Sequence, residues 1–292
     1  MRTVAATIPA PSTLDQDATL VDAYRRDGFV NGGELLDLAT VEHLRSELTR
    51  VIAEQDRRDR PQPYRTMDIG VPGASVWQIV NIWQASAAFA ALLRLPRLGA
   101  LAARLAGAKR LALWHDQVQY KPAGEGGVNW WHQDWPYWRA VTPADELITA
   151  WIALDDADED NGCMTMVPGS HRLGDTIGDL QALGDGRTDH HAASFAAALP
   201  RRFRDLEVRP HVCRVAAGHV HFHHANTWHG SHANRSGRPR RAIALHMMSE
   251  RTTHDANAKH LMSPEIQVPH GAAISGPHFP MVYVEVASRA CP

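Results

Sequence analysis

Cysteine is scarce: Cys163, Cys213 and Cys291 are the only three in 292 residues. An odd number at such wide spacing excludes a disulfide framework and a zinc knuckle, and a reducing cytoplasm is the expected setting. No run of about eighteen apolar residues occurs, and the opening MRTVAATIPAPSTLDQ has no apolar stretch of signal-peptide length, so neither a membrane span nor export is expected. An excess of one charge is missing too. Thirty Lys and Arg against thirty-two Asp and Glu leave a formal charge of −2, which gives no footprint for nucleic acid or an anionic membrane. There is no internal repeat and no low-complexity tract. What is present, 44% hydrophobic and 21% charged residues, suits an ordinary globular chain able to bury a sizeable core.

Residues 1–18 are small and polar with two prolines and read as a loose tail. Between Leu35 and Ile52, apolar residues recur at three and four residue intervals, the period of an amphipathic helix, and a second such stretch runs from Ala87 to Leu105. VPGASVWQIVNIW, between them, reads as strand with a turn at Pro72-Gly73. From Leu111 the pattern changes to short runs, LALWHDQVQY, LITAWIAL, GCMTMV, HVCRV, HVHFHH and RAIALHMM, separated by turn residues. Such spacing predicts a β-sandwich or barrel. The interval 174–207 breaks it with AASFAAAL and PRRFRD, and reads as a helical or lid insertion between strands. The expected organisation is therefore one domain over 19–292: a helical part to 110, a β core over 111–248, and an extension over 249–292.

NWWHQDWPYW, residues 129–138, sets a His and an Asp among four of the nine tryptophans. If the segment is a strand, positions i and i+2 share a face, so His132 and Asp134 converge. That is either a hydrogen-bonded pair at a strand end or half of a divalent-metal site. A second histidine supply in GHVHFHHANTWHGSHANRSGRPRR favours the metal. Two His and one carboxylate with open positions is the facial triad of non-haem Fe(II) oxygenases.

WHQD, DELITAWIALDDADEDNGCMTMVPGSH and TWHGSHANRSGRPRRAIALHMM together resemble the phytanoyl-CoA dioxygenase family of Fe(II)/2-oxoglutarate oxygenases, over roughly Tyr24 to Met248. The resemblance implies a mainly β fold with flanking helices, a double-stranded β-helix (jelly roll), with Fe(II), 2-oxoglutarate and dioxygen at its mouth. It makes His132 and Asp134 iron ligands. Of the later histidines only His229 fits the family pattern, with Ser231 two residues on and Arg240 eleven residues on. His219, His221 and His223 alternate on one strand face and read as packed or supporting residues. His219 stands where many relatives carry Asp, a departure that bears on that turn's hydrogen bonds and not on the metal.

Within the resemblance, 2-oxoglutarate needs a cation for its far carboxylate, and a guanidinium pairs with a carboxylate in bidentate fashion. Arg240 shares its strand face with Ala242 and Ala244, which leave a cavity, whereas Arg241 shares its face with Ile243, Leu245 and Met247, which fill one. Arg240 is therefore the expected clamp, with the Ser231 hydroxyl beside it. The family alignment adds Trp151 and Gln117 to the cosubstrate pocket, although Trp151 serves equally well as core. Trp130 falls on the face of His132 and Asp134, and Tyr137 and Trp138 edge the substrate cleft, while Trp131 reads as core. Asn161-Gly162 and VPGSH at 167–171 are turn chemistry. Arg201, Arg202 and Arg204 form either a solvated face or a grip on an anionic group.

The expected activity is hydroxylation of a small, partly apolar substrate with release of succinate and CO2. Asp134 excludes the halogenase variation, in which a small residue replaces the carboxylate to admit chloride. Desaturation, epimerisation and cyclisation use the same ligands. The rivals are a noncatalytic metal-binding barrel, which needs no cosubstrate clamp, and a zinc hydrolase, for which no general-base motif is evident.

Overall fold

The computed structural model describes residues 13–183, 195, 197–203 and 208–286. The helices with described bounds are α1 (Thr13–Asp27), α2 (Leu38–Ala53), α3 (Ala87–Leu92), α4 (Pro96–Ala106) and α5 (Ile177–Ala182). The first half of the strands comprises β1 (Phe29–Glu34), β2 (Arg65–Asp68), β3 (Trp77–Val80), β4 (Arg110–Lys121), β5 (Asn129–His132), β6 (Val141–Thr142) and β7 (Leu147–Ala153). The second half comprises β8 (Met164–Met166), β9 (His211–Cys213), β10 (His219–His224), β11 (His229–Ser231), β12 (Arg240–Ser249), β13 (Thr253–His254) and β14 (Met281–Val284).

Local chemistry sets the helix limits. Asp37 caps α2 by accepting the Thr40 N–H at 2.7 Å, and Val41, Leu44, Leu48 and Val51 form its buried stripe. The periodicity over 87–105 does not make one helix. Pro96 lacks an N–H and starts a new helix at its first turn, so the chain breaks between α3 and α4. α1 begins at Thr13, inside the stretch that reads as a tail; residues 1–12 lie outside the described residues.

Two antiparallel sheets face each other. The larger runs β1-β10-β7-β12-β4-β3-β2, with β14 also on β4; the smaller runs β5-β11-β8-β9. Strand alternation sorts the large sheet's side chains. Ile148, Ala150, Ile152, Phe222, Ile243, Leu245 and Met247 pack outward under the helices. Trp151, Ala153, Ala242 and Ala244 point inward, against Cys163, Met164, Met166 and Cys213 of the smaller sheet's side. This is the expected jelly roll with flanking helices. Both described cysteines, Cys163 and Cys213, are buried and free.

At the turn into β10, Gly218 has φ +81°, and a Cβ there would sit 2.3 Å from the Leu36 carbonyl. Its carbonyl accepts from Leu35 and Leu36, and its N–H donates to Ala153, so backbone groups hold the turn without an Asp. The insertion contributes α5 and the buried Phe195, Leu199 and Phe203, which pack on Trp131 and Trp228. Residues 184–194, 196 and 204–207, including Arg204 and part of AASFAAAL, lie outside the described residues. After β12 the chain turns back: β13 pairs with β6 in a separate two-stranded sheet, and β14 joins β4 in the large one. Among the described residues, no helix is long and apolar enough to cross a membrane.

Candidate active site

His132 ends β5 and sits directly across from His229, the first residue of β11; their ring centroids are 4.1 Å apart. Asp134 does not share this strand. Its backbone is helical (φ −74°, ψ −49°) at the head of the 3-10 turn Trp135–Tyr137, with its N–H held by the Ala225 carbonyl at 2.9 Å. The chain thus bends after His132, and the bend rather than strand alternation brings the carboxylate over. Gln133 fixes the bend. Its buried amide donates to Gly174 (2.7 Å) and Asn226 (2.8 Å), and its carbonyl accepts the Thr176 N–H at 2.8 Å. The result places one ligand atom each from His132, Asp134 and His229 within 4.8 Å of one another.

Hydrogen bonds assign the tautomers. Nδ1 of His132 lies 2.7 Å from the Trp130 carbonyl and Nδ1 of His229 lies 2.8 Å from the Thr227 carbonyl. A carbonyl only accepts, so each Nδ1 carries the hydrogen and each Nε2 keeps its lone pair. Those Nε2 atoms stand 3.7 and 3.6 Å from Asp134 Oδ1. His223 is different: its Nε2 is 3.1 Å from Asp134 Oδ2, the position of a donor to the carboxylate. Thr149 reaches the same oxygen at 3.5 Å and bonds His246 Nδ1 at 2.8 Å.

Burial pushes Asp134 toward the neutral acid, but His229 and the hydrogen bond from His223 outweigh it, leaving the carboxyl well below the usual range. Burial, with His229 beside it, pushes His132 down to about 4, and burial also lowers His229. One carboxylate with two neutral imidazoles is the protonation state that metal binding requires.

A small inner pocket adjoins this cluster, walled by Gln119, Asn129, Trp151, Met164, Ser231 and Ala244. Arg240 is buried nearby with its guanidinium carbon 5.7 Å from the Trp151 ring centroid, and its Nε has no partner. Directly across the β12-β4 ladder lies a second buried basic side chain, Lys121, whose amine is pushed well below the ordinary lysine value by burial and by Arg240 beside it. Its Nζ faces three acceptors, Ser231 Oγ at 2.7 Å, the Ser231 carbonyl at 3.2 Å and the His232 carbonyl at 2.5 Å, so it is held by the protein itself. Arg241 points the other way, into a two-pronged pair with Asp155 at 2.8 Å on each side.

A wider outer cleft opens over the cluster. Trp130 and Tyr137 line it half exposed. Trp138 also reaches it but is largely buried, 5.4 Å from His115 and 4.3 Å from His246 between ring centroids. Gln117 lies on this outer wall; it is Gln119 that reaches the inner pocket. Trp131 stacks on Phe195 at 4.1 Å, and His221 stacks on Phe29 at 5.7 Å.

Residues 24–242 match the model of the phytanoyl-CoA dioxygenase (PhyH) family. The chain belongs to this family. It is 32% identical over 234 residues to an ectoine dioxygenase of Halomonas elongata, covering 76% of this chain and 67% of the relative. It is 30% identical over 166 residues to L-proline trans-4-hydroxylase of Streptomyces griseoviridis, covering 55% of this chain and 59% of that one. The crystal structure of the epimerase SnoN in complex with Fe3+, alpha ketoglutarate and nogalamycin RO superimposes with a TM-score of 0.71 at 25% identity, covering 91% of this chain and 98% of that chain. The carbocyclase SnoK superimposes with a TM-score of 0.70 at 24% identity, covering 90% and 95%, which supports the fold.

As a member of this family the protein is a 2-oxoglutarate-dependent dioxygenase with iron as its metal, and the residues present fit both groups. Two lone-pair nitrogens and a carboxylate oxygen on one side leave the other positions open. The inner pocket fits a dicarboxylic acid because the buried guanidinium of Arg240 stands against its Trp151 wall with an unpartnered Nε and no ion pair among the described residues, so an entering carboxylate would supply the missing counter-charge.

Several of these residues escape the sequence reading. His246 follows from the alternation that selects Arg240, since 240, 242, 244 and 246 share one face of β12. Lys121, Gln119 and Gln117 likewise share a face of β4. Thr149 and Gln133 carry no signal in the sequence, because their roles depend on loops that meet only in the fold.

Proposed function

We propose that the protein hydroxylates an unactivated carbon of a small, partly apolar molecule, with His132, Asp134 and His229 holding iron. Iron with 2-oxoglutarate and dioxygen bound supplies the oxidising power to break a C–H bond, the cosubstrate leaving as succinate and CO2. His223 and Thr149 hold the outer oxygen of Asp134, so that the other oxygen faces the two Nε2 atoms. Arg240, with the Ser231 hydroxyl, binds the distal carboxylate of 2-oxoglutarate, and Trp151 forms the wall behind it. Trp130, Tyr137 and Trp138 hold substrate and keep water from the reacting carbon.

The observation that carries this reading is the buried guanidinium of Arg240, its Nε without a partner, set against the Trp151 wall of the pocket that adjoins a His-Asp-His cluster. A binding module that had kept only the metal would have no use for that uncompensated charge. The test is succinate formation by the iron-loaded protein supplied with 2-oxoglutarate in air. Turnover that disappears in Asp134→Ala supports the proposal; metal binding with no 2-oxoglutarate consumption by the unaltered protein contradicts it.

A second reading, in which the same centre epimerises its substrate, is favoured by the likeness to the epimerase SnoN over nearly the whole chain. Labelled dioxygen separates the two readings, since hydroxylation carries label into the product and epimerisation does not.

A further inference from the structure

The outer cleft is built for a substrate of definite chemistry. We infer that this substrate is an uncharged, oxygen-rich molecule of several rings, and not an amino acid, a zwitterion or a carrier-linked acyl chain. The inference rests on the proposed function above, because it takes the cleft over the metal cluster as the substrate site.

Size is the first observation. The cleft encloses about 800 Å³, toward the upper end of the roughly 300–1,000 Å³ typical of small-molecule sites. A compact amino acid would leave most of it filled with water and would bury little of its own surface.

Charge is the second. Among the described residues that line the cleft, the sole carboxylate is Asp134, which belongs to the metal cluster, so an ammonium group would find no free counter-charge. The sole Lys or Arg is Lys259, exposed at the rim. A carrier with several phosphates needs several cations, which these walls do not supply.

The third observation is a patch of neutral polar groups. Gln78 on β3 pairs directly with Gln119 on β4, and Gln117 is two residues along the same strand face. All three line the cleft, and none of their side-chain amides has a hydrogen-bond partner among the described residues. The His115 Nε2 behind them is buried and also unpartnered. An amide both donates and accepts, so this row matches hydroxyl groups, which do both, and carbonyl groups, which accept, with no charge in either case. Opposite it, the half-exposed faces of Trp130 and Tyr137 offer flat apolar surface to rings.

The test is calorimetric titration, under nitrogen, of the protein loaded with Fe(II) and 2-oxoglutarate. The uncharged probes are digoxigenin, salicin and podophyllotoxin; the charged ones are L-proline, ectoine and hexanoyl-CoA. At least one uncharged probe should bind tenfold or more tightly than every charged one. Gln78→Leu and Gln117→Leu should each weaken it at least fivefold, and Gln78→Leu should leave 2-oxoglutarate affinity within twofold. The inference is overturned if no uncharged probe binds, if a charged probe binds as tightly, or if both variants bind the uncharged probe as the unaltered protein does. Failure of the unaltered protein to bind 2-oxoglutarate would instead overturn the reading of the inner site, a distinct result in the same experiment.

Discussion

Arg240 and Arg241 are adjacent in sequence and opposite in fate. The first is buried beside Lys121 and Trp151 with an unpartnered Nε, and the second is spent on Asp155. Arg240→Ala should raise the 2-oxoglutarate concentration needed for half-maximal turnover by about tenfold to a hundredfold, since a charge-assisted pair contributes about 1.5 to 3 kcal/mol. Arg241→Ala should leave that requirement unchanged and lower stability by about 1 kcal/mol. Steady-state kinetics with a thermal melt on both variants checks this, and an exchange of the two phenotypes would refute the assignment. The distinction was legible in the sequence because strand alternation puts small residues beside one arginine and large ones beside the other. Alternation failed at Asp134, where Pro136 and the anchored Gln133 end the strand and turn the chain.

Among the elements, the rim of the cleft is shared. α5 contributes Leu180 and Gln181, and the C-terminal extension contributes Lys259, His260 and Leu261. If both close over substrate, amide exchange in α5 and around Lys259–Leu261 should slow when substrate joins iron and 2-oxoglutarate under nitrogen. Unchanged exchange in both would show a permanently open mouth. Trp131, on the far side of β5, belongs to the packing between the insertion and the smaller sheet. Trp131→Ala should cost roughly 3 to 5 kcal/mol of stability in a denaturant melt, whereas Tyr137→Ala, with a half-exposed ring, should change stability by about 0.5 kcal/mol or less. The positions of several core strands were readable from the turn residues between short apolar runs, but not their order in the sheets. The extension's return onto β4 and the cleft was not readable either, because a segment's partner across the fold leaves no mark in its own periodicity.

For the whole molecule, buried histidines link folding to pH. Burial pushes His171 and His260 down to about 4, and His221 and His246 down to about 3. An unfolded histidine titrates near 6.5, so between about pH 6.5 and 4 the unfolded chain binds protons that the native state refuses. The stability these groups contribute is complete above the unfolded value and is lost as pH falls toward the folded values. Asp116, raised by burial to about 7, acts in the opposite sense but is one group against four. The metal-free protein should therefore melt at progressively lower temperature from pH 7 to pH 5, and a flat or rising melting temperature would contradict this. The central claim is that His132, Asp134 and His229 hold the iron while His223 only orients the carboxylate. Anaerobic titration of Fe(II) into the protein with 2-oxoglutarate, followed by the visible charge-transfer band of the iron chelate, tests it most directly. One equivalent of band is expected in the unaltered protein, none in His229→Ala, and a full-amplitude band at weaker iron affinity in His223→Ala. A band that survives in His229→Ala and vanishes in His223→Ala would contradict it.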